Sequence, residues 1–425
     1  MTKKIVIIGG GVIGLSTAWH CQKAGHDVTV IDRAQEQRDG CSFGNAGMIV
    51  PSHFVPLAAP GMIRLGLKWM WNPESPFYIR PRVSWDLLSW LWQFKQSCTR
   101  RHVDQAAPLL RDLHLASRSI LAQLEPVLEQ AGEDGFGLAQ NGLLMLCKSE
   151  ATFDEEAETA NAATQLGIEA QVLDAKATKR LEPNFDMDVR GAVYYPRDCH
   201  LSPQRLMGAL QSQLTAGGCQ FHWSTVCTGF TKRNNRVEQV QTSVGEMDAD
   251  EIILCGGVWS SQIARELEIS LPMQAGKGYS VTLDDPKQLP SICSILTEAR
   301  VAVTPMGSTL RFGGTMEIAG VDESISESRV RGIVRSVPDY FPAFDESDFQ
   351  HCQPWVGLRP CSPDGLPYLG RPKRWQNVIV STGHAMMGIS LAMISGKLAQ
   401  EFVDQQTPSI DRMSLLAPDR FRQTS

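Results

Sequence analysis

Arg359 stands between Leu358 and Pro360, a few residues after Trp355, in a setting unlike that of a solvated surface charge. Its planar guanidinium suits bidentate recognition of a carboxylate; a structural ion pair with an acid such as Asp364 is the alternative. A second constellation lies at the start of the chain, in Gly9-Gly10-Gly11-Val12-Ile13-Gly14 followed by Asp32. Between an apolar strand and a helix, Gly9 takes the tight turn, Gly11 lets backbone approach a pyrophosphate, and Gly14 lets helix and strand pack closely. The free N–H groups of that helix start, at Val12 and Ile13, and its positive end favour phosphate. Asp32 falls where a carboxylate accepts hydrogen bonds from ribose hydroxyls and disfavours a 2′-phosphate. These residues predict that the chain holds an ADP-containing cofactor.

The elements that must position them can be read along the chain. Ile5 to Ile8 reads as a buried strand, followed by a helix and a second strand from Val28 to Asp32. Gly40 to Met48 is dense in small residues, either to let backbone pass close to something flat and bulky or as a glycine-rich surface loop. Residues 57–95 hold Trp69, Trp71, Trp85, Trp90 and Trp92 with Met62, Met70, Phe77 and Tyr78, interleaved with Arg64, Lys68, Arg80, Arg82 and Lys95. This reads either as an interfacial element meeting anionic lipid or as a lid packed on the core. Helical spacing of Leu109, Leu110, Leu113, Ala116, Ile120 and Leu121 predicts an amphipathic helix over 103–132. A strand over Gly142 to Cys147 and a helix from Glu150 to Gln165 follow.

Ser202-Pro203-Gln204 has the form of a helix start, for a helix running to Thr215. Gln220 to Val226 and Arg236 to Thr242 then read as a small antiparallel excursion. Asp250 to Leu254 is another buried strand, ending at Gly256-Gly257, where the chain returns to the nucleotide unit. Strand patterns fill 275–320, and after a strand at Val378 to Ser381 the segment Gly383-His384-Ala385-Met386-Met387-Gly388 opens a last helix.

Bulk properties bound the class. With 425 residues, 43% hydrophobic and 20% charged, the chain reads as a soluble globular protein of two domains. A net charge of −6 offers no basic field for nucleic acid. The first strand begins at Lys4-Ile5 and leaves no room for a secretory signal, and no apolar run reaches the ~18 residues of a membrane span. Eleven cysteines without metal-type spacing read as reduced thiols, with neither a disulfide framework nor a metal site expected.

Taken in order, these pieces resemble the D-amino-acid oxidase superfamily of FAD enzymes, and within it the bacterial D-amino-acid dehydrogenase branch. The resemblance is carried by Ser42-Phe43-Gly44-Asn45-Ala46-Gly47, Ala58-Ala59-Pro60-Gly61, Lys68-Trp69-Met70, Lys277-Gly278-Tyr279-Ser280, Gly357-Leu358-Arg359-Pro360, Pro363-Asp364-Gly365 and Thr382-Gly383-His384. It runs from end to end and implies FAD. The ADP half would sit on Gly9 to Gly14 with Asp32 and Arg33, and the ribityl chain and ring against Cys41, Ser42, Gly47, Met48 and Ile49. Backbone near Val226 would meet the adenine, with Gly256 also at the cofactor. The flavin's other end would lie at Gly383, His384, Gly388, Ile389 and Ser390, where a helix start suits negative charge on a reduced flavin.

The implied fold is α/β: a Rossmann-like FAD domain from 1–56, 190–262 and 350–425, with an α+β substrate or cap domain inserted from 57–189 and 263–349. Arg359 aligns with the family arginine that pairs with the substrate carboxylate. Tyr279, His53 and Met386 are further pocket candidates, with core packing the alternative for Tyr279. His384 either tunes the flavin or merely bonds a backbone carbonyl. Relatives that oxidise glycine or sarcosine carry a basic residue where Met386 and Met387 stand here, which favours a more apolar pocket.

The implied activity is oxidation of D-amino acids to 2-oxo acids by hydride transfer from Cα to flavin N5. Electrons would pass to a quinone-type or other non-oxygen acceptor, such as an electron-transfer protein. Alternatives are a dehydrogenase of a cyclic secondary amine such as cis-4-hydroxy-D-proline, a flavin-binding protein that turns nothing over, and an NAD-dependent dehydrogenase. The location expected is cytoplasmic, with peripheral attachment on the cytoplasmic face of the inner membrane as the alternative.

Overall fold

In the computed structural model, which describes residues 1–69, 74–82, 84–130 and 135–421, the first strand is Lys4–Ile8. It lies inside a six-stranded sheet ordered Tyr368–Gly370, Val378–Thr382, Glu251–Leu254, Lys4–Ile8, Asp27–Ile31, Gln220–His222. Every pairing is parallel except that of the Tyr368–Gly370 edge. Parallel strands are covered on both faces, which accounts for the unbroken apolar runs. Helices Val12–Lys23, Pro203–Ala216 and Gly388–Val403 bury one face through Ile5, Ile7, Leu15, Leu210, Ile389 and Met393. Val6, Ile8, Ile252 and Leu254 on the other meet Phe230 and Val240 of a three-stranded antiparallel sheet, Cys227–Arg233, Arg236–Thr242 and Gly245–Asp248. The expected excursion is thus present, but Gln220–His222 is not part of it. That strand extends the parallel sheet beside Asp27–Ile31.

The second sheet has nine strands and mixed directions. Its path runs Trp355–Cys361, Gln274–Leu283, Thr309–Ile318, Val301–Met306, Cys293–Leu296, Leu143–Cys147, Gly191–Tyr195, Gln171–Asp174, with Phe77–Ile79 added alongside Thr309–Ile318. Helix Glu327–Tyr340 packs on one face, against Tyr279, Val281 and Phe312. Met316, Cys361, Leu87 and Trp90 cluster elsewhere, with Ala385. Two strands read from sequence as belonging to the nucleotide unit, Gly191–Tyr195 and Trp355–Cys361, are members of this sheet. A short apolar strand carries no local mark of which sheet it joins, because the partner strand lies far away in sequence.

The amphipathic helix begins slightly earlier than its periodicity suggested, at Arg100–Gln130, and packs Leu109, Leu110 and Leu113 against Leu391, Ile394 and Leu398 of the last helix. The tryptophan-rich segment forms helices Met62–Trp69 and Trp85–Ser97 around strand Phe77–Ile79, the second helix capped by the Ser84 hydroxyl accepting from the Leu87 amide. Met70 and Trp71 lie outside the described residues. All eleven cysteines are free thiols.

Candidate active site

The carboxyl ends of the parallel strands open onto a cavity of about 750 Å³, the position at which open α/β sheets take ligands. From the glycine turn, Gly9, Gly11, Val12 and Ile13 line it, and from the end of the second strand Asp32 and Arg33. The small-residue loop contributes Cys41 and Ser42, the start of the last helix His384, Gly388 and Ile389, and two further loops Val226 and Gly256. Helix Val12–Lys23 starts here, and its first amide, of Val12, donates to the Ser42 hydroxyl at 3.2 Å.

The glycine turn has the tolerances its spacing predicts. A Cβ on Gly14 would lie 1.8 Å from the Gly9 carbonyl oxygen, and one on Gly9, whose φ is +116°, 2.5 Å from that of Cys255. Gly11 differs, since its nearest neighbour would be Ser42 Oγ at 3.5 Å. It is the position left open for a ligand. Asp32 accepts from the amides of Gly10 (2.6 Å) and Ala34 (2.7 Å), which fix its carboxylate at the cavity wall.

Three cavity-lining residues carry a buried polar atom without a protein partner: Ser381 Oγ, His384 Nδ1 and Arg38 Nη2. Buried polar groups are nearly always paired, and three unpaired ones on residues that wall a long cavity beside a helix start fit a phosphate-bearing dinucleotide. FAD suits this set. Arg38 was not singled out in the sequence. Its Nε donates to the Gly10 carbonyl at 2.9 Å, and its guanidinium lies 4.2 Å from the Trp223 ring centroid. Only the neighbourhood of Gln220–His222 and Asp27–Ile31 brings Trp223 to it, so its spacing from Asp32 carried no signal. Trp259, also missed, lines the cavity beneath Arg33 at 3.8 Å.

Other expected cofactor residues stand behind the wall. Gly47, at φ +70°, makes the turn under Leu201, while Met48 and Ile49 pair with His200 and Cys199. Ser390 Oγ is engaged by the Val50 amide (3.0 Å) and His114 Nδ1 (2.6 Å), and so ties three segments together. Gly383, at φ +80°, turns against Tyr368. Val226 does line the cavity, but its amide donates to Ser243 Oγ at 3.0 Å and its carbonyl accepts from the Ser243 amide at 2.9 Å. Its N–H is therefore not free for adenine. The flat group packed on the small-residue loop is the indole of Trp355, against which a Cβ on Gly44 would come within 2.1 Å.

Arg359 is not itself among the cavity-lining residues, but it lies near Cys41 and between Leu358 and Pro360, which are. Its guanidinium donates to the carbonyl of Thr315 and, at 3.5 Å, to that of Gly314. Thr315 has φ +65° at a bulge where the pairing with Gln274–Leu283 slips, a device that re-aims groups beside active sites. Gly278 gives the fork its room, since a Cβ there would lie 2.2 Å from Nη2. Among the described residues Arg359 makes no ion pair. Asp364, the acid the alternative required, is taken by Arg420 through contacts of 2.7 and 2.9 Å. Burial lowers the Arg359 pKa from its ordinary value, and the result is a cation held by backbone carbonyls without a counter-ion.

The remaining candidates separate. Tyr279 is 1% exposed in the core under helix Glu327–Tyr340, and its hydroxyl donates to Glu317 at 2.8 Å. Alternate residues of a strand face opposite ways, so it turns away from the face on which Gly278 meets Arg359, and core packing is its place. His384 Nε2 meets Ser395 Oγ at 2.8 Å, and burial pushes its pKa down to about 3, so the ring is neutral. His53 is likewise pushed down to about 4 by burial. Its Nδ1 meets Ser52 Oγ at 3.0 Å, and Ser52 in turn donates to the buried Asp198, whose own pKa burial raises to about 7. Neither His53 nor Met386 lines the cavity, and Met386 is 39% exposed.

A family model described as FAD dependent oxidoreductase, DAO, matches residues 4–402. A Bradyrhizobium diazoefficiens protein named D-amino acid dehydrogenase is 31% identical over 429 residues, 98% of this chain and 99% of its own. One of the same name from Granulibacter bethesdensis is 29% identical over 422 residues, 97% and 98% of the two chains. Among solved structures, glycine oxidase from Geobacillus kaustophilus superimposes with a TM-score of 0.78 at 22% identity, covering 99% of both chains. Iminodiacetate oxidase from Chelativorans sp. BNC1 does so with 0.74 at 20% identity, covering 97% and 98%.

Proposed function

Because the chain belongs to the DAO family of FAD-dependent oxidoreductases, we propose that it is a D-amino-acid dehydrogenase, oxidising the α-carbon of D-amino acids and handing the electrons to a quinone-type acceptor. Arg359 carries this reading. A guanidinium without a counter-ion, beside a dinucleotide cavity, is built to receive an anion from outside the protein, and its fork matches an α-carboxylate. When bound, FAD supplies the two-electron acceptor for the hydride leaving Cα; the imine product then hydrolyses to 2-oxo acid and ammonia. Arg359 anchors one end of the substrate, and positioning of this kind supplies much of the rate. His384, held uncharged by burial, adds no positive charge that would disfavour an incoming cation.

The expected result of anaerobic mixing is loss of the visible flavin absorbance with D-amino acids and not with their L-enantiomers. Bleaching by D-proline and cis-4-hydroxy-D-proline alone would move the assignment to a cyclic-amine dehydrogenase. A yellow protein that no amine bleaches would sink the proposal.

The acceptor reading rests on the exposed side chains of helices Met62–Trp69 and Trp85–Ser97. Leu67, Trp85, Leu88 and Trp92 are 60%, 85%, 50% and 52% exposed, among exposed Arg64, Lys68 and Lys95. Apolar tips with a basic rim suit an anionic lipid surface. Among the described residues no helix is long and apolar enough to cross a membrane, so contact of this kind is peripheral. The protein is expected to sediment with anionic vesicles and be released by salt. Loss of Lys68 and Lys95 together should weaken partition roughly 30-fold, at about 1 kcal/mol per basic residue. Equal binding to neutral vesicles would remove the electrostatic part.

A further inference from the structure

Three features meet on the face of the nine-stranded sheet that carries Arg359. A Cβ at Gly276 would lie 2.3 Å from Met316 Sδ and 2.7 Å from Cys361 Sγ, while one at Gly278 would strike the Arg359 guanidinium. Arg359, Met316 and Cys361 are therefore neighbours over a floor of two glycines. The carbonyls that hold Arg359 belong to Gly314 and Thr315, directly before Met316 in the strand. Met316 and Ile318 also line a second cavity, of about 660 Å³, walled in part by the two tryptophan-rich helices.

That chamber is apolar. Met62, Phe77, Leu87 and Trp90 are part of its wall, and among the described lining residues there is no acid and the basic ones are Arg82 and Lys95. Trp90 is fixed by its indole N–H donating to the Cys361 carbonyl at 2.9 Å and by its ring stacked on Phe94. Leu87, Trp90, Met316, Cys361 and Ala385 form one buried cluster, and Ala385 also walls the dinucleotide cavity. The carboxylate clamp and the end of the cofactor cavity thus lie against one packed cluster, whose Leu87, Trp90 and Met316 also line the apolar chamber.

Resting on the reading of Arg359 as the carboxylate clamp, we infer that this chamber receives the substrate's side chain and that the enzyme selects D-amino acids with bulky apolar side chains. An amino acid whose carboxylate lies on Arg359 has its side chain within reach of Met316. Each methylene buried there is worth roughly four-fold in affinity. A second ammonium would lose its water and meet only the like charges of Arg82 and Lys95, with no acid among the described lining residues. The inner faces of the two helices bound this chamber, while their outer faces hold the exposed aromatic tips.

The test is anaerobic flavin reduction by the holoenzyme with D-alanine, D-leucine, D-methionine, D-phenylalanine, D-glutamate and D-lysine, repeated in Met62→Trp, which fills the chamber, and in Leu67→Trp at its exposed rim. The expected result is a specificity constant at least ten-fold higher for D-leucine, D-methionine and D-phenylalanine than for D-alanine, with D-lysine below D-alanine and D-glutamate below the three apolar substrates. The D-phenylalanine to D-alanine ratio should fall at least ten-fold in Met62→Trp and move in the same direction in Leu67→Trp. If D-alanine reduces the flavin as well as the large substrates do, the side-chain subsite is overturned and the D-amino-acid reading stands. If no D-amino acid reduces it, that reading itself fails. An unchanged ratio in both variants, with slower reoxidation by a short-chain quinone, would overturn the inference by giving the chamber to the acceptor.

Discussion

Replacing Arg359 with alanine is expected to lower kcat/KM for the D-amino acid roughly a hundred- to a thousand-fold while the protein keeps its flavin. Truncating one member of a buried hydrogen-bonded charge pair costs about 2–5 kcal/mol, and each 1.36 kcal/mol is about ten-fold in rate. The guanidinium leans on the Thr315 and Gly314 carbonyls and makes no ion pair among the described residues, so on the proposed reading the substrate would supply the missing charge. Arg359→Lys should recover only part of the loss, because a point charge cannot hold the Thr315 carbonyl and still present a paired fork. Rapid-mixing reduction under nitrogen, with flavin content measured beforehand, separates lost binding from lost cofactor. Activity in Arg359→Ala within a few-fold of the parent would mean that the carboxylate sits elsewhere.

Gly14→Ala should yield protein nearly devoid of flavin. The added methyl would meet the Gly9 carbonyl oxygen at 1.8 Å, and a backbone atom in the tight turn that follows strand Lys4–Ile8 cannot swing aside as a side chain can. Overpacking typically costs about 1–3 kcal/mol, and here the displaced group belongs to the turn that faces the pyrophosphate. Gly11→Ala is the informative contrast. Its methyl points toward the open cavity, with Ser42 Oγ nearest at 3.5 Å, so the fold should survive while the cofactor is crowded. The ratio of visible to ultraviolet absorbance and a thermal unfolding curve on each variant report the two effects. Full flavin retention in Gly14→Ala would contradict the packing argument.

The glycine turn and Asp32 were legible because their chemistry is local: the spacing within one βαβ unit sets the geometry. Several helices were legible for the same reason, with Glu150–Gln165 falling on the periodicity's own bounds, whereas Glu327–Tyr340 was not read as one. Residues whose role depends on pairing with distant strands were not. Tyr279 could be assigned a face only once the register of Gln274–Leu283 against Trp355–Cys361 was known. Arg359 and Asp364 are close in sequence, yet Arg420, near the other end of the last helical segment, claims the acid. Ser390 follows a helix start that does face the cavity, but its own position on the helix turns it toward Val50 and His114. The tryptophan-rich segment supported two readings, a lid and a surface element. Its helices present buried Leu87 and Trp90 on one side and exposed Trp85, Leu88 and Trp92 on the other.

The strand Trp355–Cys361 walls the dinucleotide cavity with Leu358 and Pro360 while Arg359, between them, reaches the neighbouring strand's carbonyls. On the proposed reading one short rod of backbone would serve both ligands, and any coupling between their occupancies would be reciprocal. Whatever factor the bound cofactor contributes to holding a carboxylate on Arg359, the carboxylate returns to the retention of the cofactor. Flavin-free chains would then be poor traps for amino acids, and substrate would act as a stabiliser of the loaded enzyme as well as its reductant.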